Sequence, residues 1–176
     1  YGIQELLLEG SLTNNGVIRD NNDQKNDDRL SILITGDIVN NGHWSCYYVK
    51  LIGDQEQYIS QAEGMVFDSY FADLDSVSSI RANSDITILQ DFNLGRATLY
   101  MDNMMLHMDG WLHKGVLDNA HLHGGYLQYL DCVNGLAIYN CVVIDDSVSF
   151  EGNVAVNDTL MPNTYGGGAK HYHLPV

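Results

Sequence analysis

Histidine is a common metal ligand, and four histidines of this chain fall close together in its second half. His121 and His123 flank Leu122, so a strand with Leu122 inward points both imidazoles outward on one face. A neighbouring strand that carries His107 or His113 would complete a patch of two or three nitrogen ligands. The competing and commoner interpretation is that these are ordinary polar residues on an outward face. His113, His121 and His123 are therefore weak candidate metal ligands.

Two consecutive carboxylates, Asp145 and Asp146, suggest a second metal candidate, a structural calcium cluster with Glu151 and Asp158 nearby. Consecutive residues of a strand point to opposite faces, so Asp145 and Asp146 can chelate together only in a turn. An aspartate in a turn normally bonds its own backbone. We expect no cofactor, with structural calcium left open.

The longest polar segment is residues 19–29, which contain no apolar residue. Alternating oxygen ligands at its start resemble a calcium loop, but an EF-hand needs Gly at its sixth position and Glu at its twelfth. This chain has Lys25 and Ser31 there. We therefore expect a solvated loop that leaves the regular structure.

Aromatic side chains on one face would offer a platform for sugar rings. The weak candidates for glycan contact are Trp44, Tyr47, Trp111 and Tyr126. Trp44 follows an Asn-Asn-Gly sequence with only His43 between them, just as Val17 and Ile18 follow an earlier one, which favours core or edge packing for it.

A polysaccharide lyase would need a base, and cations to neutralise the substrate carboxylate. The basic candidates in regular segments are Lys50, Arg81, Arg96 and Lys114. They share no motif, and a chain with a formal net charge of −15 repels an anionic glycan. A carbohydrate-active enzyme therefore stays the alternative.

Composition limits the class of protein. The 176 residues suffice for one domain, and the excess of acidic residues argues against nucleic acid and anionic lipid as partners. Only 2 prolines but 17 glycines fit short strands between turns. The chain has no apolar run of membrane-spanning length, and its start at Tyr1 indicates a mature fragment or a piece of a longer chain. Its 3 cysteines favour buried free thiols, with a Cys132–Cys141 bridge as the alternative.

The elements that would position these residues follow from a repeated phrase. Residues 8–16 (LEGSLTNNG) and 34–42 (ITGDIVNNG) share Gly, Asn, Asn and Gly at matching positions. Alternating apolar residues closed by Asn-Asn-Gly indicate a strand that enters a turn of positive φ. The two phrases begin 26 residues apart. A strand-turn unit that recurs at this distance predicts one coil of a β-solenoid.

A second pattern has a period of five. Leu112, Leu117, Leu122 and Leu127 each follow a Gly or Ala by two residues. The pattern predicts that these leucines point inward and that the small residues let coils approach closely. Because it covers only four units, we interpret it as a regular stretch of a less regular β-helix, with a pentapeptide-like β-solenoid as the alternative.

The phrases at 10–18, 36–44 and 51–60 resemble the repetitive β-solenoid modules of large secreted or cell-surface proteins of Bacteroidota, many of them cargo of the type IX secretion system. The resemblance implies a single-stranded, right-handed parallel β-helix, pectin-lyase-like in shape. It also implies a role as stalk, spacer or adhesin segment, and it brings no catalytic residues.

Together these observations predict an all-β module at 1–163, with residues 19–29 as its excursion and 164–176 as a linker or the lead-in to a following module. We expect an acidic, non-enzymatic structural module at the cell surface or outside the cell. Its expected partners are neighbouring modules of the same parent chain, with glycans or surface ligands as further possibilities, and neither nucleic acid nor membrane insertion. The alternative is a carbohydrate-active β-helix, either a glycan-binding face or a lyase-like enzyme.

Overall fold

The chain winds into a parallel β-solenoid of about six turns. The computed structural model describes residues 2–23, 26–73, 79–144 and 148–163. Within these ranges the secondary structure is strand, turn and bend, without a helix, so no described helix could cross a membrane. The predicted all-β fold with parallel coils is therefore confirmed, and the predicted linker at 164–176 lies outside the described residues.

Each coil has three sides, and equivalent strands of successive coils pair in parallel. Side A contains β1 (Ile3–Leu8), β5 (Asn26–Ile34), β8 (Tyr48–Leu51), β10 (Tyr70–Asp73), β16 (Cys141–Ile144) and β19 (Leu160–Asn163). Side B contains β2 (Leu12–Asn14), β6 (Ile38–Asn40), β9 (Gln57–Gln61), β11 (Ser79–Ala82) and β17 (Val148–Phe150). Side C contains β3 (Val17–Arg19), β7 (His43–Ser45), β12 (Ile86–Ile88) and β18 (Val154–Val156).

Three further segments run around corners and so belong to more than one side. They are β13 (Phe92–Tyr100), β14 (Met105–Gln128) and β15 (Leu130–Tyr139). The longest, β14, has 24 residues and pairs with β12, β13, β15 and β16. It is therefore more than one complete coil rather than a straight strand.

The core consists of stacks of inward side chains in register. On side A the paired positions are Ile32, Val49, Phe71, Phe92 and Leu112. On side B they are Ile80, Leu99, Leu117, Cys132 and Phe150. All ten are at most 7 % exposed. Because fully burying one such apolar side chain contributes about 1.5–3 kcal/mol, these stacks dominate the stability of the fold.

The number of residues from one repeated phrase to the next has two parts, one coil of the solenoid and one excursion from it. Ile3 pairs with Arg29, whereas Ser31 pairs with Tyr48, so the first step from coil to coil is much longer than the second. The difference is the polar segment predicted as a loop, which is instead an antiparallel hairpin: β4 (Asn21–Asp23) pairs with the start of β5. Asp20 holds its base, because Asp20 Oδ1 accepts hydrogen bonds from the backbone N–H groups of Leu30 and Tyr47, at 2.8 and 2.9 Å.

The Asn-Asn-Gly corners are built differently from the prediction. Neither their asparagines nor their glycines have positive φ. Asn14 and Asn40 point inward instead, at 5 % and 0 % exposure, and Asn14 Nδ2 donates to Asn40 Oδ1 at 2.9 Å. Asn40 Nδ2 donates onward to the Val66 carbonyl at 3.0 Å, and Asn40 Oδ1 also accepts from the N–H of Gly42 at 3.2 Å. The repeated asparagines are thus a buried ladder that links three coils.

Positive φ is concentrated in the five-residue pattern. Lys114, Asn119, Gly124, Tyr129 and Asn134 all have left-handed φ, at every fifth position, and each is a corner. Three sides of five residues each close a coil, because Leu117 pairs with Cys132, which lies three such sides farther along the chain.

The four leucines at the centres of these five-residue units are fully buried, as predicted. The prediction for the small residues also holds. A Cβ on Gly110 would lie 2.5 Å from the backbone of Gln90, and one on Gly115 would lie 2.5 Å from the carbonyl oxygen of Ala97. These glycines therefore let neighbouring coils touch.

The asparagine ladder allows a matched test. Asn40→Ala removes two hydrogen bonds of the Asn40 carboxamide oxygen and leaves the Val66 carbonyl without its donor, so we expect a loss of about 1–3 kcal/mol in the free energy of unfolding. Asn41→Ala is the control, because Asn41 makes the equivalent bond to Asn15 on the exposed face, and we expect a change within about 0.5 kcal/mol. Urea denaturation of both variants measures the difference. Equal losses would contradict the assignment of the buried ladder as a stabilising feature.

Candidate functional site

The histidines lie on two sides of the solenoid. Leu122 is inward and fully buried, so His121 and His123 both point outward on side C, as predicted. The His123 ring stacks on that of Tyr139 with centroids 4.1 Å apart, and His121 Nε2 lies 3.0 Å from Asn103 Oδ1. His113 instead lies on side A, paired with Asn93. His113 is therefore not part of this patch, whereas His107, the other expected neighbour, lies near enough to His123 to lower its pKa.

The electrostatics of His113 and His123 favour their neutral forms. Burial lowers the pKa of His123, and the nearby rings of His107 and His121 lower it further. Burial also lowers the pKa of His113, against the opposing field of Asp91. His107 Nε2 lies 3.0 Å from Asp109 Oδ1 and so has a carboxylate partner of its own.

No group of three or more His, Cys, Asp or Glu side chains in the described ranges is arranged to hold a metal ion. Asp145 and Asp146 lie outside those ranges, so the calcium hypothesis stays a prediction. Cys46, Cys132 and Cys141 are free and buried, as expected. Burial raises the pKa of each thiol, that of Cys141 to about 12, so the thiols are unreactive.

Trp44 packs in the core, as its position after the Asn-Asn-Gly corner favoured, and so it is not a glycan contact. Its side chain is 1 % exposed and meets Phe67 edge-to-face, with ring centroids 5.2 Å apart. Phe67 in turn contacts Phe71, so Trp44 begins a buried aromatic cluster. The inward position follows from its register, since Trp44 pairs with Ile18 in the middle of a side C strand.

Two of the other aromatic candidates, Trp111 and Tyr126, lie outward on side A, in an arrangement that the sequence pattern does not reveal. Each precedes a buried residue and occupies the same place in successive coils. From the N-terminal side, this aromatic column consists of Tyr48, Tyr70, Asp91, Trp111 and Tyr126. Tyr48 and Tyr70 are stacked at 6.3 Å between centroids, and Trp111 and Tyr126 at 5.6 Å. Asp91 separates the two pairs.

Beside the first pair is an open groove of about 470 Å³, the tyrosine groove. Its lining includes Tyr47, Tyr48, Tyr70, Arg29, Asp68 and Gln90. The Arg29 guanidinium lies 4.6 Å from the centroid of the Tyr47 ring, and Gln90 Nε2 donates to Asp68 Oδ1 at 2.8 Å. The groove thus combines aromatic surface with hydrogen-bond donors and acceptors.

Two of the four basic residues considered for lyase chemistry are engaged with carboxylates of other coils. Lys50 Nζ lies 2.6 Å from Glu5 Oε1. Arg81 lies between Glu56 and Asp102, with its guanidinium 4.6 Å from the centroid of Tyr100. These contacts link different coils of the solenoid.

The fold defines the class of protein, a parallel β-solenoid. No protein-family model, curated protein or solved structure matches the chain.

The histidine pKa shifts predict a pH dependence of stability. A histidine with a lowered folded-state pKa binds its proton more readily in the unfolded chain. Its contribution to the free energy of unfolding is therefore fully present above about pH 6.5 and is lost as the pH drops below that value. We expect the double variant His113→Gln/His123→Gln to lose less of its melting temperature between pH 7.5 and 5.5 than the wild type. His43→Gln, at an exposed position, is the control. A wild-type slope retained in the double variant would contradict the assignment.

Proposed function

We propose that the chain is a non-enzymatic structural module, a rigid segment of a longer β-solenoid that spaces or presents other domains. The observation that carries the proposal is the outer edge of the first coil, which has the features of a surface that another coil covers. Among the described residues, its strands β1, β2 and β3 each pair with the following coil on one edge only.

The apolar side chains of this edge support the proposal. Leu6 pairs with Ile32 and occupies the same inward position, yet Leu6 is 45 % exposed and Ile32 is 1 % exposed. Leu8, another inward residue of this edge, is only partly buried, whereas its partner Ile34 is fully buried. Covering such residues with a further coil would bury apolar surface at about 25 cal/mol for each Å².

The glycines supply an independent argument and indicate what the covering element is. A Cβ on Gly42 would collide with the backbone oxygen of Gly16, so the contact between coils requires glycine there. Gly16 holds the same place in the first coil without a positive φ and with nothing within 4 Å of its own Cβ position. Gly16 is therefore a glycine of the kind that contact with a preceding coil requires. No described residue, however, covers this edge of the first coil. A preceding coil with the same Asn-Asn-Gly pattern fits this edge.

An extended chain tests the proposal. We expect a variant in which residues 3–28 are repeated once ahead of Ile3 to unfold in one transition, with a higher melting temperature and a larger urea m-value, because more surface is buried. In the original chain, Gly42→Ala should cost about 1–3 kcal/mol and Gly16→Ala at most about 0.5 kcal/mol. In the extended chain the original Gly16 becomes covered, and its substitution should become as costly as that of Gly42.

Two results would contradict the structural role of this edge. One is a separate, low-temperature transition for the added coil. The other is a Gly16→Ala substitution that stays silent in the extended chain.

The resemblance to modules of Bacteroidota supports a finer form of the same proposal. In that form the parent is a secreted or cell-surface protein exported by the type IX system, and the module is a stalk or adhesin segment of it. The acidic surface, with a formal net charge of −15, suits a solvated, elongated particle.

A second candidate function is a glycan-binding face, which the tyrosine groove favours. Tyr47, Tyr48 and Tyr70 present aromatic surface, and Asp68 and Gln90 offer acceptors and donors for hydroxyl groups. This combination of apolar surface and a few placed polar groups is typical of small-ligand sites.

Affinity electrophoresis in gels containing soluble polysaccharides tests the glycan-binding role. We expect retardation of the wild type and its loss in Tyr47→Ala. Tyr100→Ala, a tyrosine on side B beside Arg81, is the control and should migrate like the wild type. Equal migration of both variants would contradict a role for the groove.

A further inference from the structure

The middle of the aromatic column has the geometry of a binding slot. Tyr70 stacks with Tyr48, and Trp111 stacks with Tyr126, so each ring stacks with the neighbour on the side away from the intervening coil. Their opposite sides therefore face the intervening coil, whose outward residue is Asp91. We name the space bounded by Tyr70, Asp91 and Trp111 the aromatic slot.

The dimensions of the slot follow from the coil spacing. Parallel strands are about 4.8 Å apart, so the two aromatic residues, two coils apart, are separated by about 9.6 Å along the solenoid axis. Rings one coil apart in this column have centroids 6.3 and 5.6 Å apart, so a group at the level of the intervening coil would lie about 5 to 6 Å from each ring. That is within the distance of about 6 Å at which a cation is attracted to an aromatic face.

Asp91 is held at the floor of the slot. Its Oδ1 accepts a hydrogen bond from the backbone N–H of Trp111 at 2.9 Å, and its backbone oxygen accepts one from Phe71 at 2.9 Å. The ion pairs that Lys50 and Arg81 form use other carboxylates, those of Glu5, Glu56 and Asp102. The carboxylate of Asp91 is thus fixed against the backbone of Trp111, on the coil between the two aromatic residues, where it supplies negative charge.

The surroundings strengthen the preference for positive charge. In the adjoining tyrosine groove the charges of Asp68 and Arg29 offset each other, and the whole chain carries 23 acidic residues against 8 basic ones. The walls are accessible to solvent: Tyr70 is 36 % exposed, and Trp111 lines an open groove with Asp91, His113 and Gln128.

We propose that the aromatic slot binds an organic cation of the alkylammonium class, either a free quaternary or primary amine or the ammonium group of a lysine side chain. The two rings supply cation–π attraction and apolar contact, and the Asp91 carboxylate supplies the charge. This site is separate from the coil-stacking edge, so the structural role stands or falls independently of it.

The fluorescence of Trp111 reports directly on the slot, because the only other tryptophan, Trp44, is buried in the core. Choline chloride is the probe, and its uncharged carbon isostere, 3,3-dimethyl-1-butanol, is the control ligand. We expect saturable quenching by choline and at least about tenfold weaker binding of the isostere. N-acetyl-lysine methyl ester, titrated in parallel, distinguishes a lysine side chain from a quaternary amine.

Two variants complete the test. Asp91→Asn keeps an oxygen for the Trp111 N–H and removes only the charge, so we expect choline affinity to fall about tenfold at an unchanged melting temperature. Asp118→Asn removes an outward carboxylate on side B, which accepts a bond from Asn134, and should bind choline like the wild type. Absence of saturation by both cations, equal binding of choline and its isostere, or wild-type affinity in Asp91→Asn would each overturn the proposal. Saturable quenching by a neutral sugar alone would also overturn it.

Discussion

The parallel hydrogen bonding between successive coils is the constraint on which the whole molecule depends. It holds equivalent residues of neighbouring coils about 4.8 Å apart, so whatever occupies one position in a coil contacts its equivalents above and below. Inward positions become continuous apolar stacks, such as Phe71 on Phe92 with ring centroids 5.5 Å apart. Outward positions become columns of like or complementary side chains, such as Arg81 between Glu56 and Asp102. Core, ion pairs and candidate sites are thus consequences of one register.

Two devices keep that register while the coils differ in length. In the first coils a buried asparagine ladder turns the chain, because the side chain of Asn40 satisfies backbone groups that the corner leaves unpaired. In the later coils left-handed corners at Asn119, Gly124 and Asn134 turn it in a shorter distance. Asparagine and glycine adopt this conformation at little cost, whereas Tyr129, which adopts it too, pays a steric penalty that the surrounding coils must offset.

Patterns that are local in the chain could be predicted from the sequence, as the inward Leu117 and the strand-turn unit of the first coils show. The polar hairpin was missed because its composition is equally typical of a loop. The burial of Trp44 agrees with its place after an Asn-Asn-Gly corner, which favoured core packing over glycan contact. The aromatic column was missed because coil length varies: Tyr48 pairs with Tyr70, but Leu117 reaches its partner Cys132 over a shorter coil. A variable period hides which residues share a column until the pairing is known.

The hairpin also has a consequence for how such a molecule can change during evolution. The chain leaves the solenoid near Asp20 and returns at Leu30, two points joined by the hydrogen bond to Asp20 Oδ1. Because the next coil is placed by the segment from Ser31 to Tyr48, the length of the excursion does not enter the winding. Insertions and deletions between the two points therefore leave every stack in place. The corner is a ready site for acquiring a new appendage while the scaffold stays the same.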